Sequence, residues 1–219
     1  QHGWALSSGD YGGVGVGGLA TAGGIGWMAR KHGLTIDHLR AVDVVLADGS
    51  LVHASEYENP DLFWAVRGAG ANFGIVVSFE FEVDEVGEIG FSQLVFDASD
   101  LAGLLVRWGE IVENAPRDLS SFIIVSRQRS GEVYAIVLSM IDSNEPETIL
   151  ARLQPMASIA PLVNQSVYLT TYPSVMSNAA LDDHSGAGEP LARAGLIEHI
   201  TPEFATAAER LVQSGASYF

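Results

Sequence analysis

Gly13-Val14-Gly15-Val16-Gly17-Gly18 is the spacing in this chain with the most chemistry in it. Glycines at such density let backbone amides close on a phosphate or a flat ring that side chains would hold away. Nine of the chain's 24 glycines fall between Gly12 and Gly33. Two phosphate-binding readings offer themselves and both fail. The run matches G-x-G-x-x-G, and Asp37 stands about 20 residues on, where a ribose-binding acid would be sought. That motif requires a hydrophobic strand before it and a helix opening at its last glycine. Here HGWALSSGDY precedes and LATAGG follows. No Gly-Lys-Ser/Thr occurs, so a Walker A loop is excluded. A glycine-rich surface loop without function is the plain alternative. Val14, Val16, Leu19 and Ile25, interleaved with the glycines, argue instead for a packed loop.

Other reactive groups are sparse. The histidines are His2, His32, His38, His53, His184 and His199, and none shows the i, i+4 or H-x-H spacing of a zinc site. Structural or surface roles are expected for them, and no metal. There is no cysteine, which removes disulfides, thiolate metal sites and thiol nucleophiles. Asp182, Asp183 and His184 form a polar cluster that reads as a solvated loop before it reads as a catalytic dyad. Arg67 could hold an anion, with an ion pair to a carboxylate as the simpler reading. Phe63 and Trp64 are expected to pack a helix.

Charge narrows the partners. The net charge is −16 and Lys31 is the sole lysine, so a nucleic-acid surface and a polybasic membrane patch are both excluded. No apolar run approaches the ~18 residues of a membrane span. The first residues lack a signal-peptide pattern and an initiator Met. A cytoplasmic, bacterial protein is expected, with secretion left open because the natural N-terminus is expected to lie upstream.

The elements that must position these residues follow from periodicity. Gly12–Gly26 is expected to be an irregular loop leading to a short helix at 27–31, ended by Gly33. Residues 39–47 and 50–54 read as a hairpin around Asp48-Gly49. Asn59 as N-cap and Pro60 open a helix to Arg67. Residues 68–74 are a second glycine loop, and 75–83 a strand. Beyond Gly87 glycine thins. Strands are expected at 91–96, 121–127, 132–141, 163–171 and 192–200, with a turn at Ser130-Gly131. Helices are expected at 101–113, 146–156 and 202–213, the last opened by Thr201. The first of these has an apolar face of Leu101, Leu104, Leu105, Trp108, Ile111 and Val112. Residues 184–189 read as a loop. The fold class is α+β, with a boundary near 84–90 and an antiparallel sheet carrying helices on one side.

The order HGWALSSG, GVGVGGLATAGGIGW, RKHGLTIDHLRAVDVVLADG, NPDLFWAVRGAGANFGIVVSFEF resembles FAD-linked oxidoreductases of the vanillyl-alcohol oxidase type, nearest the berberine bridge enzyme-like group. The resemblance is close over residues 1–87 and looser beyond. It implies residues 1–87 as the C-terminal part of an FAD-binding domain, and 88–219 as a substrate domain incomplete at its C-terminus. It implies FAD contacts from Tyr11, Gly12, Gly13, Val14, Gly15, Val16, Gly17, Gly18, Leu19, Gly23, Gly24, Gly74, Ile75 and Val76. In the family the substrate-domain sheet forms a wall over the flavin, which makes Tyr168 and Tyr172 candidate substrate contacts. The catalytic residue is not identified. The cysteine of bicovalent members corresponds to Tyr11, so a second covalent flavin bond is not expected. The upstream pyrophosphate-binding segment and the closing Asn-Tyr element are absent, and Tyr218-Phe219 is followed by nothing, so an internal fragment is expected. The implied function is oxidation of an alcohol, sugar or amine C–H by hydride transfer to flavin N5, on a small-molecule substrate. The chain alone is expected to be inactive, and a non-catalytic binding or structural module is the alternative.

Overall fold

A computed structural model describes residues 2–179 and 195–215. Packing divides the chain into two units. Gln1–Gly87 is joined by the segment that starts at Thr171, and Glu88–Thr170 is joined by the C-terminal segment.

The first unit opens with β1 (Trp4–Ala5), α1 (Val16–Ala22) and α2 (Ala29–His32). Gly33 ends α2 at φ 95°, as its position predicts. A 3-10 turn, Thr35–His38, leads into β2 (Leu39–Val45) and β3 (Leu51–Ser55). The hairpin between these strands turns at Asp48-Gly49. The Asp48 carboxylate accepts from the Ser50 amide and hydroxyl, which hold its pKa below the ordinary value, and Gly49 takes φ 84°. There follow α3 (Pro60–Ala69), whose helical geometry breaks at Arg67 and Gly68, then β4 (Ile75–Phe81) and β5 (Asp84–Glu85). The sheet order is β3-β2-β4, with β1 pairing β5 separately. Val42 and Val44 alternate onto the face beneath Phe63 and Val66 of α3, and this small core fixes the register of β2.

The second unit carries β6 (Glu88–Asp97), α4 (Leu101–Asn114), β7 (Leu119–Arg127), β8 (Val133–Ile141), α5 (Pro146–Leu153) and β9 (Leu162–Thr171). Directly after β9 comes α6 (Tyr172–Ala179), which packs with the first unit, and α7 (Pro202–Gln213) follows later in the second. The sheet order is β7-β8-β6-β9, and the β6/β8 and β7/β8 pairs are antiparallel. One face of this sheet presents Leu94, Phe96, Leu119, Val125, Ala135, Val137 and Ile141 to α4, α5 and α7. On α4 the buried stripe is Leu101, Leu104 and Leu105, with Trp108, Ile111 and Val112 at its margin. Each buried leucine contributes roughly 1.5–3 kcal/mol. Thr201 caps α7, its hydroxyl accepting from the Phe204 amide at 3.2 Å. The architecture is the expected α+β, with helices on one side of an antiparallel sheet.

Three expectations need correction. The glycine run is not irregular throughout, because α1 occupies Val16–Ala22 within it. Five non-glycine residues in those seven suffice once Thr21 returns its hydroxyl to the Gly17 and Gly18 carbonyls. Asn59 does not cap α3 through its side chain. It sits in the left-handed region at φ 49°, and its Nδ2 donates to the His53 carbonyl at 2.7 Å. Residues 195–200 form no strand, while 192–194 lie outside the described residues. The loop at 184–189, the cluster Asp182, Asp183 and His184, and Tyr218-Phe219 also lie outside them.

Candidate cofactor site

Glycines of the run between Gly13 and Gly26, with Gly74 of the second glycine loop, sort into two groups when a methyl group is imagined on each. In the first group the neighbours forbid it. At Gly13 a Cβ would lie 2.5 Å from the Tyr11 ring; at Gly26, 2.5 Å from the Gly9 carbonyl oxygen; at Gly74, 2.5 Å from the Val45 carbonyl oxygen. At Gly24 it would run into the Thr35 hydroxyl, and at Gly17 it would press on the Phe79 ring at 3.2 Å. These glycines are required by the protein's own packing. In the second group, Gly15, Gly18 and Gly23, nothing lies within 4 Å. Their bare backbone faces open space, where a ligand can approach it.

The residues around the second group suit an uncharged flat ligand. Helix α1 begins at Val16 after Gly15, with no side chain capping its N-terminus. Its first-turn amides therefore have no partner inside the helix. Val14 and Val16 stand about two-fifths exposed beside them and Ile25 is 61% exposed. Leaving such side chains in water is unfavourable, and a flat ring laid on them would remove that surface. The first cationic side chains after the loop are Arg30 and Lys31. Ser7, wholly buried just upstream, has a hydroxyl without a hydrogen-bond partner among the described residues. Unsatisfied buried hydroxyls are uncommon and call for a missing partner. Open amides, exposed apolar residues and this hydroxyl fit the flavin end of FAD.

The base of the loop is held firmly. The Thr35 hydroxyl donates to the Ser7 carbonyl and lies 3.2 Å from that of Gly24, so one side chain joins both ends of the glycine run. Thr35 and Gly24 also share a backbone bond at 3.0 Å. Ser7, Thr35 and Phe79 were invisible as site residues in the sequence, because Thr35 meets Ser7 and Phe79 meets Gly17 only through contacts distant in the chain. Tyr11 is half-buried over Gly13, and its carbonyl accepts the Val14 amide at 3.2 Å, forming the turn that enters the loop. With no cysteine in the chain, none of these 219 residues can bond a flavin through sulfur. At the second glycine loop, Gly74 is demanded by β2, Ile75 is 71% exposed, and Val76 packs toward the core of α3.

The G-x-G-x-x-G match therefore does carry a helix start, yet β1 is two half-exposed residues rather than a buried strand. The dinucleotide reading fails on that side alone.

The two tyrosines part company. Tyr168 stands in β9 with its ring centroid 5.8 Å from that of Phe91, on the sheet face opposite the helices, and is 44% exposed. That face also presents Gln93, Val95, Phe122, Ile124, Ile136 and Leu138 by register. Tyr172 is not on the strand. It is the first residue of α6, buried in the first unit, and its hydroxyl accepts the Ser8 amide at 3.2 Å. Arg67 lays its guanidinium 5.4 Å from the Phe63 ring centroid and has no carboxylate partner among the described residues, and Trp64 is exposed rather than packed. His32 and His38 converge on one carboxylate, Asp84, at 3.1 and 2.8 Å. No group of three metal-ligating side chains occurs among the described residues, and no described helix is long and apolar enough to cross a membrane.

Residues 1–55 match the FAD binding domain family. Over 78 residues the chain is 62% identical to xylooligosaccharide oxidase of Thermothelomyces thermophilus, covering 36% of this chain and 16% of that protein. Over 182 residues it is 32% identical to (R)-6-hydroxynicotine oxidase of Paenarthrobacter nicotinovorans, covering 81% of this chain and 39% of that one. The fold is similar to the crystal structure of 6-hydroxy-D-nicotine oxidase from Arthrobacter nicotinovorans. The TM-score is 0.76 at 26% identity, over 85% of this chain and 41% of that one. It is also similar to a BBE-like protein of Physcomitrella patens, with a TM-score of 0.70 at 26% identity, over 80% and 38% of the two chains. The chain is a partial region of the FAD-linked oxidoreductase fold, of the kind its motifs resemble, and the family that residues 1–55 match is an FAD-binding one. It spans less than two-fifths of the length of these two curated relatives.

Proposed function

We propose that this chain belongs to an enzyme that oxidises a C–H bond of an alcohol, sugar or amine by hydride transfer to flavin N5. Bound FAD supplies the acceptor of that hydride, and the protein orients and shields the reactants. The observation that carries the reading is the set of glycines open to space, Gly15, Gly18 and Gly23, on a loop where Gly13, Gly17, Gly24 and Gly26 are taken up by internal packing. Relatives named as a xylooligosaccharide oxidase and a hydroxynicotine oxidase support oxidase chemistry on a small molecule. Residues 1–87 would provide part of the FAD-binding domain, with Tyr11–Leu19, Gly23, Gly24 and Gly74–Val76 along the cofactor. Residues 88–219 would form the substrate domain, with the exposed Tyr168 of β9 as a substrate contact.

Gly18→Val tests this in the full-length protein that contains the chain. Gly18 lies in α1 with open space before it, so the substitution should leave folding intact and abolish flavin retention, read from the visible-blue absorbance of the purified protein. Unchanged flavin content would refute the assignment. Gly17 is the poorer probe, since a side chain there also meets Phe79. On the same reading the 219 residues alone hold FAD weakly, because affinity falls steeply as ligand surface is left unburied. Submicromolar binding of FAD to the isolated chain would count against it.

A further inference from the structure

We propose that Tyr172 is a positioning residue for the cofactor loop, an inference that rests on the FAD assignment above. Residues 7–9 are the entry to the glycine run, and three contacts clamp them. Two come from the run's own neighbourhood. Thr35 holds the Ser7 carbonyl, and Gly26 presses against the Gly9 backbone so closely that a Cβ would come within 2.5 Å. The third comes from 164 residues away. The Tyr172 hydroxyl oxygen accepts the Ser8 amide at 3.2 Å and lies 3.5 Å from the Ser8 hydroxyl.

Geometry favours a positioning role over substrate contact. Tyr172 is 5% exposed, so its ring has no surface to offer a ligand, whereas Tyr168 is 44% exposed. Its bond is to a main-chain amide, so it constrains the path of the backbone rather than one rotamer. The amide belongs to the residue next to Ser7, whose orphaned hydroxyl is fully buried. The next residues are Gly9, already fixed by Gly26, and then the turn at Tyr11 that feeds α1. A shift at Ser8 must therefore pass into the open-faced glycines or be absorbed by breaking one of the other clamps. Tyr172 also follows β9 without a break, so the residue that fixes the cofactor loop's entry comes directly after the strand bearing Tyr168.

Tyr172→Phe removes the acceptor and keeps the ring. In the full-length protein, stripped of flavin and titrated with FAD while flavin fluorescence is followed, the variant should bind about tenfold more weakly, the loss of one hydrogen bond of ordinary strength. Two readouts separate this from general damage. The melting temperature of the flavin-free variant stays within about 3 °C of wild type, and KM for substrate at saturating FAD changes less than about twofold. Ser8→Ala keeps the bonded amide and should bind FAD like wild type. Should Tyr172→Phe not fold, hydrogen exchange at the Ser8 amide of the wild-type protein decides: protection well above that of the exposed loop amides is expected, and exchange as fast as theirs overturns the role. Wild-type binding with unchanged FAD affinity in Tyr172→Phe and a raised KM overturns it in favour of substrate contact. A wild type that binds no FAD overturns the flavin assignment and this role together.

Discussion

Gly26 and Gly9 are packed backbone to backbone. A methyl group on Gly26 would lie 2.5 Å from the Gly9 carbonyl oxygen and 2.6 Å from its nitrogen. No side-chain rotation relieves such a contact, because both obstructing atoms are main chain. The closure brings the exit of the glycine run against its entry through main-chain contact alone. Its rigidity is local and internal, which is what a site of preorganised amides requires.

Gly26→Ala should therefore destabilise the protein by about 1–3 kcal/mol, the cost of overpacking a closed contact. Gly15→Ala is the matched control. Gly15 has φ −69° and ψ 118°, which any residue adopts, and nothing within 4 Å. Its change in stability should stay within about 0.5 kcal/mol. Urea melts of the two flavin-free variants measure the difference. Equal destabilisation would mean the two classes of glycine do not differ in role.

His53 and Asp43 face each other across the β2/β3 pair, with the imidazole Nδ1 2.8 Å from the carboxylate. The hydrogen bond that His53 donates to the Asp43 carboxylate raises the His53 pKa above its ordinary 6.5, with smaller help from the charges of Asp43, Glu58 and Glu80 and opposition from desolvation. A raised folded-state pKa means that the pair's contribution is complete below the unfolded value of 6.5. It fades as pH rises through the folded value. Imidazole chemical shifts followed by NMR should give a His53 midpoint above 6.5, and Asp43→Asn should bring it down. An unmoved midpoint in the variant would show that the pair does not form in solution.

Much of this fold is written in local patterns. Asp48-Gly49 between alternating apolar residues could only be a hairpin, and Leu101, Leu104 and Leu105 at helical spacing could only face a core. The pairing Thr201-Pro202 announced α7. What escaped was set by long-range contact. Nothing near Tyr172 in sequence shows that its hydroxyl meets Ser8, so a tyrosine after a strand read as a strand-end contact. The glycine run was legible as a backbone-contact loop. The division between glycines that serve packing and those that face a ligand was not, because it depends largely on Phe79, Thr35 and Val45 arriving from elsewhere. Helix α1 was missed because glycine weakens helix propensity by about 1 kcal/mol per residue, and tertiary packing against α3 overrode it.

Ser121 is the hub of a hydroxyl network beneath the second unit's sheet. Its oxygen accepts from Trp108 Nε1 at 3.1 Å and from the Ser139 hydroxyl at 3.1 Å, while its own hydroxyl donates to the Leu138 carbonyl at 3.2 Å. Ser139 is wholly buried and stands opposite Ser121 in register, so water cannot replace the lost partner there. Ser121→Ala leaves the Trp108 N–H and the Ser139 O–H unsatisfied and should cost about 1–3 kcal/mol. Ser139→Ala removes one of those stranded groups, so its effect in the Ser121→Ala background should be smaller than in wild type. A double-mutant cycle by urea denaturation should show a coupling of about 0.5–1.5 kcal/mol. Strict additivity would mean that the two hydroxyls do not share a bond, and that Trp108 is anchored by packing on α4 alone.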